Sequence, residues 1–447
     1  MKILFVSLGC DKNLVDSEVM LGILEDAGYQ FTDDETEADI IVVNTCCFIG
    51  DAKEESINTL LEMAEQKKTG KLKVLIAAGC LAQRYQEEVL REIPEVDGIV
   101  GTASLDKIAD IVKETLGGRK EMMLDDIGAG ILKRGRRIVT TGGHYAYLKI
   151  AEGCDRHCTY CVIPGVRGRY RSVPMESLVE EAGKLAENGV RELILVAQET
   201  TLYGQDLYGE KKLPELLRRL ARIPGIHWIR LLYCYPEEIT DELIEVIRQE
   251  EKICHYMDIP IQHASDRILA RMGRKTSRQE ITERIGRIRE RIPDMAVRTT
   301  LITGFPGETE EDVEELLDFV DEMEFERLGV FAYSQEEDTP AAAMPDQVPE
   351  AVKEERRGRV MELQQEIAFA RGEEMIGQEL EVLIEGKVAD ENAYVGRTYM
   401  DAPGVDGYIF VNTGLELMSG MFVRVRVTGA LEYDLIGELT DEDEFTQ

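Results

Sequence analysis

The segment Gly153-Cys154-Asp155-Arg156-His157-Cys158-Thr159-Tyr160-Cys161 sets three thiols on one short loop in the spacing CxxxCxxC. Three thiolates on a tight loop can hold three irons of a cubic iron–sulfur cluster and leave the fourth iron without a protein ligand. Zinc would call for four ligands, commonly as paired CxxC units, and no second pair lies nearby. A disulfide cannot use three cysteines evenly. An electron carrier caps every iron, whereas an open iron can take a small chelating molecule and become a catalyst. The rest of the chain has to build a scaffold that presents this loop.

At 447 residues the chain has room for about three domains. Its 44% apolar content is ample for buried cores. It lacks the run of about eighteen apolar residues that a membrane span needs, and the apolar opening Lys2–Leu8 is too short for a secretory signal. Nine cysteines without such a signal point to metal or redox chemistry in the cytoplasm rather than to a disulfide framework. The net charge of −35 repels a phosphate backbone, so nucleic-acid binding is not expected as the primary role, and a basic protein partner is favoured. Adaptation to a salty cytoplasm is the other reading of that charge. One region runs against the trend. Between Gly130 and Arg171 nine basic residues (Lys133, Arg134, Arg136, Arg137, Lys149, Arg156, Arg167, Arg169 and Arg171) face only Glu152 and Asp155, which predicts a basic mouth for an anionic cofactor or a carboxylate substrate.

Residues 1–118 alternate continuous apolar runs (Lys2–Leu8, Asp39–Thr45, Leu72–Ala78) with amphipathic stretches, the pattern of a parallel sheet covered on both faces. Cys10, Cys46 and Cys80 each follow one of these strands. Functional groups in an open parallel sheet gather beyond the carboxyl ends of its strands, so residues some 35 positions apart converge at one rim as a second three-thiol site. Gly9 and Gly79 would let the backbone come close to a bulky cluster. Free cysteine also serves as a small buried hydrophobe, which is the competing reading. Cys47, facing the opposite way in an extended segment, reads as a bystander.

Residues 119–143 are glycine-rich and read as a linker. Six further strands, His144–Ile150, Glu192–Ala197, Trp228–Leu232, Tyr256–Pro260, Ala296–Ile302 and Arg327–Tyr333, alternate with helices. Right-handed crossovers would close them into a partial (β/α)6 barrel over 144–375, with the three-thiol loop at the active face. Gln198, Glu199, Tyr233, Gln262, His263, Gly304, Glu308 and Ser334 lie at the other strand ends. His263 could be a ligand or a hydrogen-bonded structural residue, and Gly304–Glu308 could contact a polar cofactor or form a simple strand-to-helix turn. Cys234 and Cys254 lack metal spacing and read as packing residues. A long helix near Pro349–Met375 braces the barrel. Residues 376–441 read as short strands with glycine turns, a small antiparallel barrel, and 442–447 as an acidic tail. From Ile376 onward four basic residues stand against fifteen acidic ones, which favours protein docking over RNA.

Taken end to end, these features resemble the methylthiotransferases, a family of radical S-adenosylmethionine enzymes. Within it, Gln198-Glu199-Thr200-Thr201-Leu202-Tyr203-Gly204 and Phe331-Ala332-Tyr333-Ser334 resemble the branch that modifies a ribosomal protein, the RimO type. Glu199 stands where that branch usually has aspartate, and Cys47 where the family more often has a small residue. The resemblance implies an α/β fold in three parts: an amino-terminal parallel α/β domain, a central radical barrel and a terminal TRAM β-barrel. It implies two [4Fe-4S] clusters, a radical one on Cys154, Cys158 and Cys161 and an auxiliary one on Cys10, Cys46 and Cys80. It also implies an S-adenosyl-L-methionine pocket involving Tyr160, Gln198, Glu199, Gly304 and Glu308. The implied reaction puts a methylthio group on the β-carbon of an aspartate in the twelfth protein of the small ribosomal subunit. The neighbouring branch, MiaB type, modifies adenosine in tRNA and is the alternative. That aspartate C–H is too weakly acidic for an ordinary base, so a radical route is expected, with S-adenosyl-L-methionine as both radical source and methyl donor.

Overall fold

The computed structural model describes residues 1–128, 136–389 and 391–440. Lys133, Arg134 and the acidic tail lie outside the described residues.

The first sheet is six-stranded and parallel. Its strands are β1 (Lys2–Ser7), β2 (Gln30–Phe31), β3 (Ile40–Thr45), β4 (Val74–Gly79), β5 (Gly98–Val100) and β6 (Glu121–Met123), in spatial order β2-β1-β3-β4-β5-β6. Every residue of β3 and β4 is buried, as their unbroken apolar sequences require when helices cover both faces. β6 lies inside the stretch read as linker and pairs with β5. Its Glu-Met-Met sequence carries no strand alternation, and only the neighbouring edge makes it a strand. After β4 the helical segment is broken at Gln86, whose φ of 42° separates α3 (Cys80–Tyr85) from α4 (Glu87–Glu92). The first two helices are α1 (Asp11–Asp26) and α2 (Gly50–Thr69). The chain leaves β1 for β2 on one side and returns to β3 on the other. The sheet order therefore reverses at the β1/β3 carboxyl ends, the crevice where open α/β sheets bind their ligands.

The central sheet holds β7 (Tyr145–Lys149), β10 (Glu192–Val196), β11 (Trp228–Leu231), β12 (Ile253–Asp258), β13 (Ala296–Thr303) and β14 (Arg327–Ala332). All pairs are parallel and follow sequence order, as expected for an open partial barrel. Between β7 and β10 a two-stranded ribbon, β8 (Ala151–Glu152) with β9 (Arg171–Ser172), ties off the loop that carries the three thiols. The helix Glu350–Glu374 packs along β13 and β14.

Strands β15 (Glu379–Lys387), β16 (Ala393–Arg397), β17 (Ile409–Asn412), β18 (Phe422–Ala430) and β19 (Leu435–Leu439) close into a barrel. Four contacts are antiparallel, but β17 pairs with β19 in parallel, a departure from the wholly antiparallel expectation. The small barrel shares one apolar core with the inner face of the central sheet, through Trp228, Cys254 and Tyr256 among others. At that seam Glu192, Arg230 and Arg397 are all fully buried. Glu192 accepts from Arg230 Nε at 2.8 Å and from Arg397 Nη2 at 2.6 Å. Among the described residues no helix is long and apolar enough to cross a membrane.

Candidate metal centres and the cavity between them

Each cysteine of the first triad sits where a strand of the amino-terminal sheet ends. Cys10 is the N-cap of α1, Cys46 follows β3, and Cys80 opens α3. Gly9 (φ 85°) and Gly79 (φ 88°) adopt backbone that side chains disfavour. A Cβ at Gly9 would lie 2.6 Å from Cys46 Cβ, and one at Gly79 would lie 2.2 Å from Asn44 Oδ1. The cradle is therefore built of glycine because the thiol-bearing turns press together. Cys47 lies in the buried apolar cluster that also holds Leu60, Leu75 and Cys80.

The second triad is held by its own turn. Gly153 (φ 78°) admits no Cβ, which would lie 2.1 Å from Arg169 O. Cys154 N donates to Gly168 O at 3.1 Å, Thr159 N donates to Met272 O at 2.9 Å, and Arg156 N donates to Cys154 Sγ at 3.4 Å. Burial pushes the Cys46, Cys154 and Cys161 thiols up to about 12. A metal centre that binds them must therefore displace protons. Beside the loop, Arg274 lies over the Tyr235 ring at 4.3 Å, and its buried Nε and Nη1 have no hydrogen-bond partner. Its Nη2 donates to Pro260 O at 2.7 Å, and the two unpaired nitrogens near Cys158 fit an anionic occupant. Among the described residues no group of His, Cys, Asp or Glu forms a single-ion site. The donor set, three cysteines in each place, is that of an iron–sulfur cluster with an open iron.

Of the residues expected around the cofactor, Tyr160, Gln198 and Glu199 do gather at this loop. Tyr160 is half-buried beside Phe305 and Tyr333. Gln198 Nε2 donates to Glu152 Oε1 at 3.0 Å. Glu199 is fully buried and takes two hydrogen bonds of 2.8 Å from Arg156. Burial pushes its carboxyl above the ordinary value; Arg156 pulls it down, and Glu238 and Glu237 push it up. Gly304 and Glu308 lie behind the loop. A Cβ on Gly304 would strike Lys353, and Glu308 accepts from Gly304 N at 2.8 Å and from Arg356 at 2.9 Å. Both shape a strand-to-helix turn, the plainer of their two readings. His263 stands 3.3 Å from Glu308 and accepts from Ser265 N, a structural histidine.

Among the described residues, five of the island's basic side chains are paired with carboxylates, which leaves less free positive charge at the mouth than the sequence suggests. Arg137 meets Glu18 and Glu181, Arg136 meets Glu25, and Arg156 meets Glu199, Glu237 and Glu238. Lys149 and Arg167 meet Asp16 and Glu152. Asp16, Glu18 and Glu25 all come from α1, so the charge excess on the barrel is matched by the amino-terminal domain.

Between the three domains lies a cavity of about 470 Å³, lined by Cys10, Tyr147, Tyr233, Asp258, Arg298 and Val405 among others. Lys12 Nζ sits 3.2 Å from the centre of the Tyr233 ring, and Tyr233 holds a φ of 60°, rare for an aromatic residue. Arg298 is fixed between Asp258 (2.9 Å) and Asp406 (3.2 Å). Sequence reasoning missed Asn13, Asp16, Glu18, Lys12 and Arg298. The signal available was the polar cluster Lys12, Asn13, Asp16, Ser17 and Glu18, one turn apart in the first half of α1.

Comparison with known proteins agrees with this architecture. Residues 2–101 match the family described as Uncharacterized protein family UPF0004, 148–320 the Radical SAM superfamily and 376–440 the TRAM domain. The chain is 64% identical over 437 residues to "Ribosomal protein uS12 methylthiotransferase RimO" of Lachnoclostridium phytofermentans, covering 98% of this chain and 99% of that one. It is 52% identical to the protein of the same name from Clostridioides difficile, covering 99% of each. Among solved structures it resembles TsrM of Kitasatospora setae, a radical S-adenosylmethionine methyltransferase, with a TM-score of 0.54 at 15% identity over 76% of each chain. That likeness concerns the fold alone.

Proposed function

The chain belongs to the uS12 methylthiotransferase family of radical S-adenosylmethionine enzymes, and we propose on that footing that it methylthiolates the β-carbon of an aspartate in ribosomal protein uS12. The observation that carries this reading is the pairing of two three-cysteine sites on separate domains. Arg167 spans them, contacting Cys80 of one and Glu152, two residues before Cys154 of the other.

When bound, two [4Fe-4S] clusters and S-adenosyl-L-methionine would pass on an electron from an external reductant, supply the hydrogen-abstracting radical and the methyl group, and hold an exogenous sulfur for transfer. Cys154, Cys158 and Cys161 would hold the radical cluster, and Cys10, Cys46 and Cys80 the auxiliary one. Tyr160, Gln198 and Arg274 would line the S-adenosylmethionine pocket. Glu199 would hold Arg156, and so the loop, in place. Gly304 and Glu308 would support that pocket from behind. The cavity would admit a substrate loop between the two sites, with Tyr233 and Arg298 fixing its walls and excluding water. Work on a ribosomal protein places the enzyme in the cytoplasm. Residues 1–118 would carry the auxiliary cluster, 144–375 the radical chemistry and 376–441 the substrate contact.

Mass spectrometry of uS12 and of tRNA from cells with and without the gene tests the assignment. The expected result is loss of the methylthio group from uS12 alone. A methylthio group lost from tRNA adenosine, with uS12 unchanged, would overturn it in favour of the tRNA-modifying branch.

A further inference from the structure

Arg167 lies at the end of α6 (Ile163–Arg167), six residues beyond Cys161, and so belongs to the radical domain. Its side chain nonetheless reaches into the amino-terminal domain, where it is 3% exposed. Nε and Nη2 each approach Cys80 Sγ at 3.3 Å. Nη2 also donates to Asn13 Oδ1, and Asn13 is itself pinned by its Nδ2 on Leu8 O (3.0 Å) and Thr45 O (2.9 Å). Nη1 donates to Asp16 Oδ2 at 2.6 Å and to Glu152 Oε2 at 3.2 Å. The planar fork of a guanidinium allows this division, with one edge on a sulfur and the other on two carboxylates.

We infer that Arg167 is a positioning residue for the auxiliary cluster: its two N–H groups orient the Cys80 sulfur and raise that cluster's reduction potential. Hydrogen bonds to a ligand sulfur withdraw electron density from a cluster and favour its reduced form. Arg167 and Cys80 are both buried, so water screens their contact little. Asp16 and Glu152 balance the charge of Arg167 and Lys149, so the directed N–H···S contacts rather than a net local charge carry the influence. The donor comes from the domain of the other cluster. A shift of α6 relative to the amino-terminal sheet therefore changes the auxiliary site without touching any of its cysteines.

The inference rests on Cys80 being an auxiliary-cluster ligand. It is tested in the full-length chain with Cys154, Cys158 and Cys161 changed to alanine, so that only the auxiliary cluster is reconstituted. Potentiometric titration followed by electron paramagnetic resonance reads its midpoint. Arg167→Gln should move the midpoint to more negative potential, and Arg167→Lys, which keeps the charge but not the fork, should fall between. Asp16→Asn breaks the domain clamp while leaving the N–H···S contacts, and should leave the midpoint near that of the parent. Because Arg167→Gln leaves Lys149 alone against two carboxylates, the double change Arg167→Gln with Asp16→Asn supplies a balanced version with the same expected shift. An unchanged midpoint in both glutamine variants overturns the inference, as does an equal shift in Asp16→Asn alone. In the otherwise native chain, loss of iron from both sites together in the balanced variant would mark Arg167 as general scaffold and also overturn it. Loss confined to the auxiliary site, reversed by lysine, would support it. Cys80→Ala separates the two levels. If it leaves auxiliary iron in place, the ligand assignment itself fails; if it strips that iron while Arg167→Gln changes nothing, only the inference fails.

Discussion

The Arg156 guanidinium, midway between Cys154 and Cys158, meets the Glu199 carboxylate in a two-pronged contact, Nε to Oε2 and Nη2 to Oε1, both at 2.8 Å. This clasp ties the cluster loop to the end of β10. Glu237 and Glu238 also reach Arg156, but from a separate turn.

Glu199→Gln keeps the shape but loses the charge of the clasp. A charge-assisted hydrogen bond contributes about 1.5–3 kcal/mol, and about 1.4 kcal/mol of barrier is tenfold in rate. Cleavage of S-adenosyl-L-methionine should slow about tenfold or more while iron content stays intact. Anaerobic product analysis and iron assay check this together.

Among the described residues Glu192 is the only acidic partner of Arg230 and one of two for Arg397, all three fully buried. Glu192→Gln should destabilise the chain by about 3–5 kcal/mol, the usual effect of stranding a buried charge. Denaturant unfolding reads that loss.

The same carboxylate sets an acid limit. Burial pushes its pKa up, but Arg397 and Arg230 outweigh that and leave it below the ordinary 4.5. A carboxyl depressed in the folded state stabilises fully above its unfolded pKa, and the stabilisation fades as pH falls through the folded one. The seam between barrel and TRAM domain should thus hold unchanged from neutrality to about pH 5 and weaken only below about 4.5. Glu192→Gln should show a smaller acid-side loss than wild type, the remainder coming from other depressed carboxylates such as Glu385, as thermal melts across that range would reveal.

Gly79→Ala would set a Cβ 2.2 Å from Asn44 Oδ1 and 2.7 Å from Thr45 O at a φ of 88°. The left-handed conformation alone costs about 1–2 kcal/mol. The variant should lose the auxiliary cluster and keep the radical one, about half the iron. Cys47→Ala, in contrast, should keep both.

Much of this was legible because it is local. Apolar strands followed by cysteine locate Cys10, Cys46 and Cys80, and the spacing from Cys154 to Cys161 locates the second triad. The strand order of the central sheet follows from alternation and crossover handedness. What stayed hidden depends on distant partners. The basic run looked like a mouth for an anion because the counter-charges that Arg136, Arg137, Lys149 and Arg167 find on α1, Asp16, Glu18 and Glu25, lie more than a hundred positions away. That helix buries a polar face against the barrel, so hydrophobic periodicity understates its contacts. Glu121–Met123 becomes a strand only because β5 offers an open edge. Gly304 and Glu308 looked like cofactor contacts because a glycine turn before a helix serves either purpose until Lys353 and Arg356 are seen behind it.

The central claim divides labour between the triads, and Cys46→Ala tests it most directly. The purified variant, reconstituted anaerobically and given reductant, S-adenosyl-L-methionine and uS12, should still cleave the cofactor but form no methylthiolated uS12, while Cys154→Ala should do neither. Methylthiolated uS12 from the Cys46→Ala protein would contradict the account.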